Sequence, residues 1–248
     1  MSTAGQTLLL IGATSDIGHA TAQSFAAAGW NVVLTARNPE AAQRNRDDIA
    51  ARNSTEVSVQ RLDILDTASF TTFFDALPAL PDAVVCVVGE MGDQQQAQGD
   101  MEHAAKVIRT NFEGPALLLG ALAERFLARG HGAIVGVSSV AGDRGRGSNY
   151  VYGAAKAGFS AFLSGLRNRL SASGVQVITV KPGFVRTRMT EGMKLPPLLT
   201  AEPQEVGAAI LAAVASKKRD VLYVRKLWRP VMMAIGAIPE PIFKKMRL

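Results

Sequence analysis

The chain has 248 residues, 48% of them apolar, enough for one large domain or two small ones with a buried core. A net charge of +6 with only 19% charged residues excludes a disordered or strongly acidic chain. The single cysteine, Cys86, excludes an intramolecular disulfide and a cysteine-rich metal site, and its setting, Ala83-Val-Val-Cys-Val-Val88, predicts a buried core thiol. No apolar stretch reaches the ~18–20 residues that cross a bilayer. No basic leader precedes the apolar run 7–11, so the expected compartment is the cytoplasm.

Short apolar runs at 8–11, 31–35, 57–62, 83–88, 133–137, 175–180 and 221–224 predict strands. Several are apolar throughout, which suits strands buried on both faces of a parallel sheet. Longer helical stretches lie between them at 17–28, 39–52, 103–129, 151–173 and 200–217. Gly29 is placed to stop the first, and Pro39 fits the opening turn of the second. This alternation predicts an α/β fold: a Rossmann-type doubly wound parallel β-sheet flanked by helices, in a single domain spanning 1–248. Two segments break the pattern. Residues 184–199 are irregular, interrupted by Gly192, Pro196 and Pro197, and follow a strand's carboxyl end, where a substrate loop is expected. Residues 217–248 form a basic, apolar tail.

The first strand runs directly into Gly12-Ala-Thr-Ser-Asp-Ile-Gly18 and then an alanine-rich helix. Glycine lets a backbone approach a pyrophosphate, and the helix offers unpaired N–H groups at a positive dipole end. A tight turn without function is the bland alternative, but the strand–turn–helix order favours a dinucleotide site. Its candidate residues are Gly12, Thr14, Ser15, Asp16, Ile17 and Gly18. A carboxylate among phosphates is electrostatically awkward unless it turns away or caps the helix, and Asp16 is expected to cap. Further on, Tyr152-Gly-Ala-Ala-Lys156 sets a phenol and an ammonium four apart on one helix face. Reduction of a carbonyl needs a proton donor at the developing alkoxide, and an adjacent cation is expected to lower the phenol pKa.

With these motifs in order, the sequence resembles the short-chain dehydrogenase/reductase family. That family's turn usually reads Thr-Gly-x-x-x-Gly-x-Gly; here Ile11 and Asp16 replace two of its residues, while Gly12 and Gly18 remain. The resemblance implies a nicotinamide cofactor and carries further residues with it. Ser139, thirteen residues before Tyr152, corresponds to the catalytic serine, and Asn111 to the asparagine that holds a water in the proton relay. With Tyr152 and Lys156 they form the implied catalytic set. Asp63 and Ile64 correspond to adenine contacts. Gly89 is the one survivor of the family's Asn-Asn-Ala-Gly segment. Pro182, Gly183, Val185 and Thr187 match the Pro-Gly-x-Val-x-Thr motif that holds the nicotinamide carboxamide. At the second strand's end, where an acid would select NAD, the chain reads Thr35-Ala-Arg37-Asn38. Arginine suits a 2′-phosphate, so NADP(H) is favoured and NAD(H) is the alternative.

Four arginines cluster near the expected pocket: Arg144 and Arg146 before Tyr152, and Arg186 and Arg188 after the nicotinamide motif. Solvated charges or protein ion pairs are the bland reading; the sharper one is contact with an anionic substrate. His19, His103 and His131 have no ligand spacing, so no metal site is expected. The tail carries nine of the chain's basic residues and two acids, whereas the remainder is nearly neutral. Net charge therefore gives no reason to invoke nucleic acid. The tail suits either packing across the cleft or a subunit interface, or contact with the inner face of a membrane. Together with Ala141-Gly-Asp-Arg144, Val185-Arg-Thr-Arg-Met189, Val231-Met-Met, Ile238-Pro and Ile242-Phe-Lys-Lys245, it is similar to the decaprenylphosphoryl-2-keto-ribose reductase-like branch of the family. That resemblance implies a polyprenyl-phosphate-linked keto-sugar as substrate. A general reductase of soluble or acyl-carrier ketones is the competing enzymatic reading, and a catalytically silent NADP(H)-binding sensor or scaffold the non-enzymatic one. The helices 103–129 and 151–173 suit the interfaces of a homodimer or homotetramer.

Overall fold

A computed structural model describes residues 5–246, so the first four residues and the last two of the tail lie outside it. Strands and helices alternate along the chain: β1 (Thr7–Ile11), α1 (Asp16–Ala27), β2 (Asn31–Ala36), α2 (Pro39–Arg52), β3 (Val57–Arg61), α3 (Phe70–Asp75), β4 (Ala83–Cys86). They continue with α4 (Gln94–Gly99), α5 (Met101–Ile108), α6 (Gly114–Arg129), β5 (Gly132–Val137), α7 (Tyr150–Leu170) and β6 (Val175–Lys181). The chain ends through β7 (Phe184–Val185), β8 (Thr200–Ala201), α8 (Pro203–Ser216), β9 (Val221–Tyr223), α9 (Trp228–Ala237) and α10 (Glu240–Phe243).

Seven strands form one parallel sheet in the order β3-β2-β1-β4-β5-β6-β9. Side chains alternate between its faces, so each strand feeds two cores. Leu8 and Leu10 of β1 join Phe25 of α1 and Val206 and Ile210 of α8. Leu9 and Ile11 join Leu118 and Leu122 of α6 and Phe159 and Leu163 of α7. The fully apolar strands are thus explained: both faces are covered by helices. Strand order reverses between β1 and β4, where a crevice opens beyond the strands' carboxyl ends.

The stretch expected as one helix over 103–129 is three pieces. Between α5 and α6, residues Arg109–Glu113 widen into a π-helical turn. There the Asn111 side-chain amide takes the Val107 carbonyl at 2.8 Å, a bond that a regular helix would give to a backbone N–H. Gly114 then lies flush against the Ile64 carbonyl, with room for no side chain. Widened turns of this kind recur at functional sites.

The tail folds back on the body. Trp228, Met232 and Phe243 are buried, and Trp228 and Met232 pack with Val140, Phe184, Leu199 and Tyr223. Pro230 falls in the first turn of α9, where its missing N–H is harmless, and Pro239 separates α9 from α10. Apolar packing on the mouth of the crevice therefore accounts for the tail's inner face.

Candidate active site

Gly12 enters the crevice with φ +96°, a conformation open to glycine, and a Cβ there would press on Val87 and Val88. A Cβ on Gly18 would come within 2.5 Å of the Gly12 carbonyl. The turn is therefore closed tightly on itself. Asp16 does not cap the helix as expected. Ser15 does: its Oγ accepts from the Gly18 N–H at 3.0 Å and donates to the Gly12 carbonyl at 2.9 Å. The Asp16 carboxylate instead meets Arg188, which lies far along the chain but adjacent in space.

Above this turn lies a cavity of about 300 Å³, lined among others by Gly12, Thr14, Arg37, Asp63, Ile64 and Gly89. Arg37 stands exposed just past β2 with no carboxylate in β2 beside it. The N–H groups of the first turn of α1 have no acceptor within the helix. The Ser15 Oγ takes the Gly18 N–H; a glycine cradle, the remaining N–H groups of Asp16 and Ile17, and a basic lip together fit a nicotinamide dinucleotide.

The candidate catalytic side chains come from three elements and converge at the crevice's inner end. Tyr152 and Lys156 lie one turn apart on α7, both buried. The Lys156 Nζ donates to the carbonyls of Val88 and Val137 at 3.2 Å each and lies 5.8 Å from the centre of the Tyr152 ring. Ser139 follows β5, stands beside the Tyr152 phenol and accepts the Ala141 N–H at 3.1 Å. Gly142 and Gly153 permit this closeness, because a Cβ on Gly142 would strike the backbone at Lys156 and Ala157 (2.7 Å) and one on Gly153 would press on the Ala141 carbonyl (3.0 Å).

Asn111 is fully buried on the π-helical turn. Its amide donates to the carbonyls of Glu90 at 2.7 Å and Val107 at 2.8 Å, and its Oδ1 accepts the Glu90 N–H at 3.2 Å. A Cβ on Gly89 would stand 3.2 Å from Asn111 Oδ1 and 3.3 Å from Lys156 Nζ, so these polar atoms flank one narrow gap. Asn111 also supplies bracing to the segment after β4, where the family's usual asparagines are missing.

Burial governs the protonation of the pair. It pushes the Tyr152 phenol up to about 12, against the pull of the Ser139 hydroxyl beside it, and draws Lys156 down to about 8. The expected lowering of the phenol by its neighbouring cation is thus not seen in the ligand-free protein; desolvation is the larger effect.

The four arginines separate. Arg144 bonds Glu240 at 2.6 Å and caps the carbonyls of Gly236 and Ile238, so it grips the tail. Arg186 pairs with Glu202 at 2.9 Å, and Arg188 with Asp16. Arg146 is half-buried, and its Nε has no hydrogen-bond partner among the described residues. Pro182 accepts the Val140 N–H at 3.0 Å, linking the predicted nicotinamide segment to the Ser139 turn. Gly183 lies under the Trp228 indole, and Thr187 and Val185 lie at the root of the 184–199 loop, which β7, β8 and two short 3-10 turns organise.

Two contacts gave no sequence signal: the Asp16–Arg188 pair and a partly buried Lys181–Asp143–Tyr223 chain (2.5 and 2.9 Å) beside the tail's seat at Trp228. Both join residues at least 38 positions apart, beyond the reach of local periodicity.

Residues 6–196 match the short chain dehydrogenase family. The chain is 35% identical over 242 residues to an uncharacterized oxidoreductase of Mycobacterium tuberculosis, covering 96% of each. It is 34% identical over 188 residues to sulfoacetaldehyde reductase 2 of Chromohalobacter salexigens, covering 74% of each. Among solved structures, a short-chain dehydrogenase from Sphingobium yanoikuyae in complex with NADPH superposes with a TM-score of 0.80 at 26% identity, covering 95% of this chain and 97% of that one. The chain belongs to the short-chain dehydrogenase/reductase family, and it is an oxidoreductase of that family with the family's NAD(P)(H)-binding fold.

Proposed function

We propose that this protein is an NADPH-dependent carbonyl reductase acting on an anionic ketone. The observation that carries the reading is the buried Ser139–Tyr152–Lys156 cluster at the inner end of the dinucleotide crevice. The bound dinucleotide supplies the hydride, and the protein orients it and delivers the proton. Tyr152 gives its phenolic proton to the developing alkoxide, and the Ser139 hydroxyl donates a hydrogen bond to the same oxygen. Lys156 uses two donors on the Val88 and Val137 carbonyls, which leaves the third for a cofactor ribose hydroxyl. Asn111, whose Oδ1 lies with the Lys156 Nζ beside Gly89, holds the water that returns a proton to the site. The backbone of Thr14, Ser15, Asp16, Ile17 and Gly18 forms the pyrophosphate turn; Asp63 and Ile64 border the adenine. Pro182, Gly183, Val185 and Thr187 hold the carboxamide end.

Arg37 supports NADPH over NADH, because its fork pairs with a 2′-phosphate that a carboxylate would repel. Arg146 supports the anionic substrate: it is the one of the four arginines whose charge no acidic side chain takes up among the described residues. The relative named for sulfoacetaldehyde, itself an anionic carbonyl, supports the same reading. A lipid-linked substrate and peripheral membrane contact draw support from exposed Leu198, Leu227, Met233 and Ile242 beside Lys226, Lys244 and Lys245. No helix among the described residues is long and apolar enough to cross a membrane. Exposed Ile108, Leu117 and Leu127 on α5 and α6 support a homodimer or homotetramer.

The test is oxidation of NADPH and of NADH with carbonyls bearing a phosphate, a sulfonate, a polyprenyl phosphate or no charge. Faster turnover of the anionic compounds with NADPH, lowered by Arg146→Ala through KM, is expected. Equal rates with neutral ketones and no effect of Arg146→Ala would favour the general ketoreductase.

A further inference from the structure

A dinucleotide turn gathers phosphate charge, so a carboxylate within it must be neutralised by its surroundings. Asp16 opens α1 directly after the capping Ser15. Both of its oxygens turn toward the segment after β7. The Arg188 N–H donates to Oδ2 at 2.8 Å, and the Arg188 Nε donates to Oδ1 at 3.1 Å. A third donor of the same residue, the side-chain Nη2, reaches the Thr14 carbonyl. One arginine thus occupies the turn's carboxylate and one of its carbonyls. The two side chains are 70% and 31% exposed, so the pair adds little to fold stability. Its consequence is for the field at the turn. Arg188 also follows Thr187 directly, so the pair joins the pyrophosphate end of the groove to the segment at its nicotinamide end.

We infer that Asp16 and Arg188 form a clasp across the cofactor groove, in which Arg188 cancels the Asp16 charge so that a doubly anionic pyrophosphate can dock. This rests on the dinucleotide reading above. Arg188 acts as a positioning residue through Asp16. Removing the Arg188 side chain leaves the carboxylate with only the backbone N–H of residue 188 and no positive charge to balance it beside the docking phosphates; converting Asp16 to asparagine as well removes that charge and restores the balance. A clasp that only fastened two loops would behave differently, since the double variant would then remain as weak as the single one. The same holds if Arg188 contacted the pyrophosphate itself.

The experiment is NADPH affinity, read by cofactor fluorescence and calorimetry on the full chain. It compares wild type, Arg188→Ala, Asp16→Asn and the double variant at low and high salt. Arg188→Ala is expected to weaken binding about ten-fold at low ionic strength, with a smaller loss at high salt. The double variant is expected to lie within about two-fold of wild type. An unchanged Arg188→Ala, or a double variant as weak as Arg188→Ala, overturns the clasp while leaving the cofactor reading intact. A wild-type protein that binds neither NADPH nor NADH overturns the cofactor reading, and the clasp with it.

Discussion

The guanidinium carbon of Arg144 stands 4.2 Å from the centre of the Phe243 ring, stacking a residue five places after Ser139 on the last helix of the tail. The same side chain bonds Glu240 and two tail carbonyls, and its neighbour Asp143 is held by Lys181 and Tyr223. The turn that carries Ser139 is therefore fixed from both sides. Arg144→Ala removes the stacking and an ion pair with a largely shielded guanidinium, and is expected to destabilise the protein by about 1–2 kcal/mol. It is also expected to lower kcat more than it lowers cofactor affinity, since Ser139 faces the substrate. Urea denaturation and a kcat-against-Kd comparison check this.

Gly183 touches the other anchor of the tail. A Cβ at this position would stand 1.9 Å from the Trp228 indole, whose N–H donates to the Leu199 carbonyl at 2.8 Å. Gly183→Ala is expected to displace the tail from its seat, with an overpacking penalty of about 1–3 kcal/mol. A drop in melting temperature with a red shift of tryptophan emission is the expected result.

The depressed Lys156 gives stability a defined pH dependence. A buried ammonium is disfavoured in the fold, so between about pH 8 and its ordinary value of 10.5 the unfolded chain binds more protons than the folded one. The contribution of Lys156 to stability therefore rises with pH across that window. Lys156→Met removes this contribution while leaving Cys86, whose thiol burial lifts to about 11 and which acts in the opposite sense. Relative to Lys156→Met, wild type is expected to gain on the order of 2 kcal/mol between pH 8 and 10. Above pH 10, the Tyr152 phenol keeps a proton that the unfolded chain loses, and stability falls again. Denaturation midpoints at stepped pH test the sign.

Cofactor choice offers a simpler test. Arg37→Asp places a carboxylate at the end of β2, where it repels a 2′-phosphate and accepts from a ribose hydroxyl. A shift of the NADPH-to-NADH affinity ratio toward NADH by ten-fold or more is expected. Calorimetry with both cofactors measures it.

What the sequence could show follows from the range of each interaction. The parallel sheet was legible because buried strands must be apolar on both faces, as Leu8-Leu-Leu-Ile11 and Ala83-Val-Val-Cys86 are. The Gly12–Gly18 turn and the Tyr152–Lys156 spacing were legible because their geometry lies within one or two helical turns. The role of Asp16 was misread as a cap, since Arg188 is 172 positions away and the local alternative was the only visible one. The break in the helix over 103–129 was hidden for a related reason: the Asn111 amide that takes the Val107 carbonyl also serves the Glu90 backbone. The upward shift of the phenol's pKa is not legible in the sequence, because the burial that causes it is a property of the packed fold.

The most direct test of the central claim is Tyr152→Phe, assayed for NADPH binding and for NADPH oxidation with the best carbonyl found. The substitution removes the phenolic oxygen while keeping the ring that packs in the core with Val107 and Ala141. A general acid is worth about 10²–10⁴ in rate, so kcat is expected to fall by that factor while cofactor affinity stays within about two-fold of wild type. Undiminished turnover in Tyr152→Phe would contradict the assignment of Tyr152 as the proton donor.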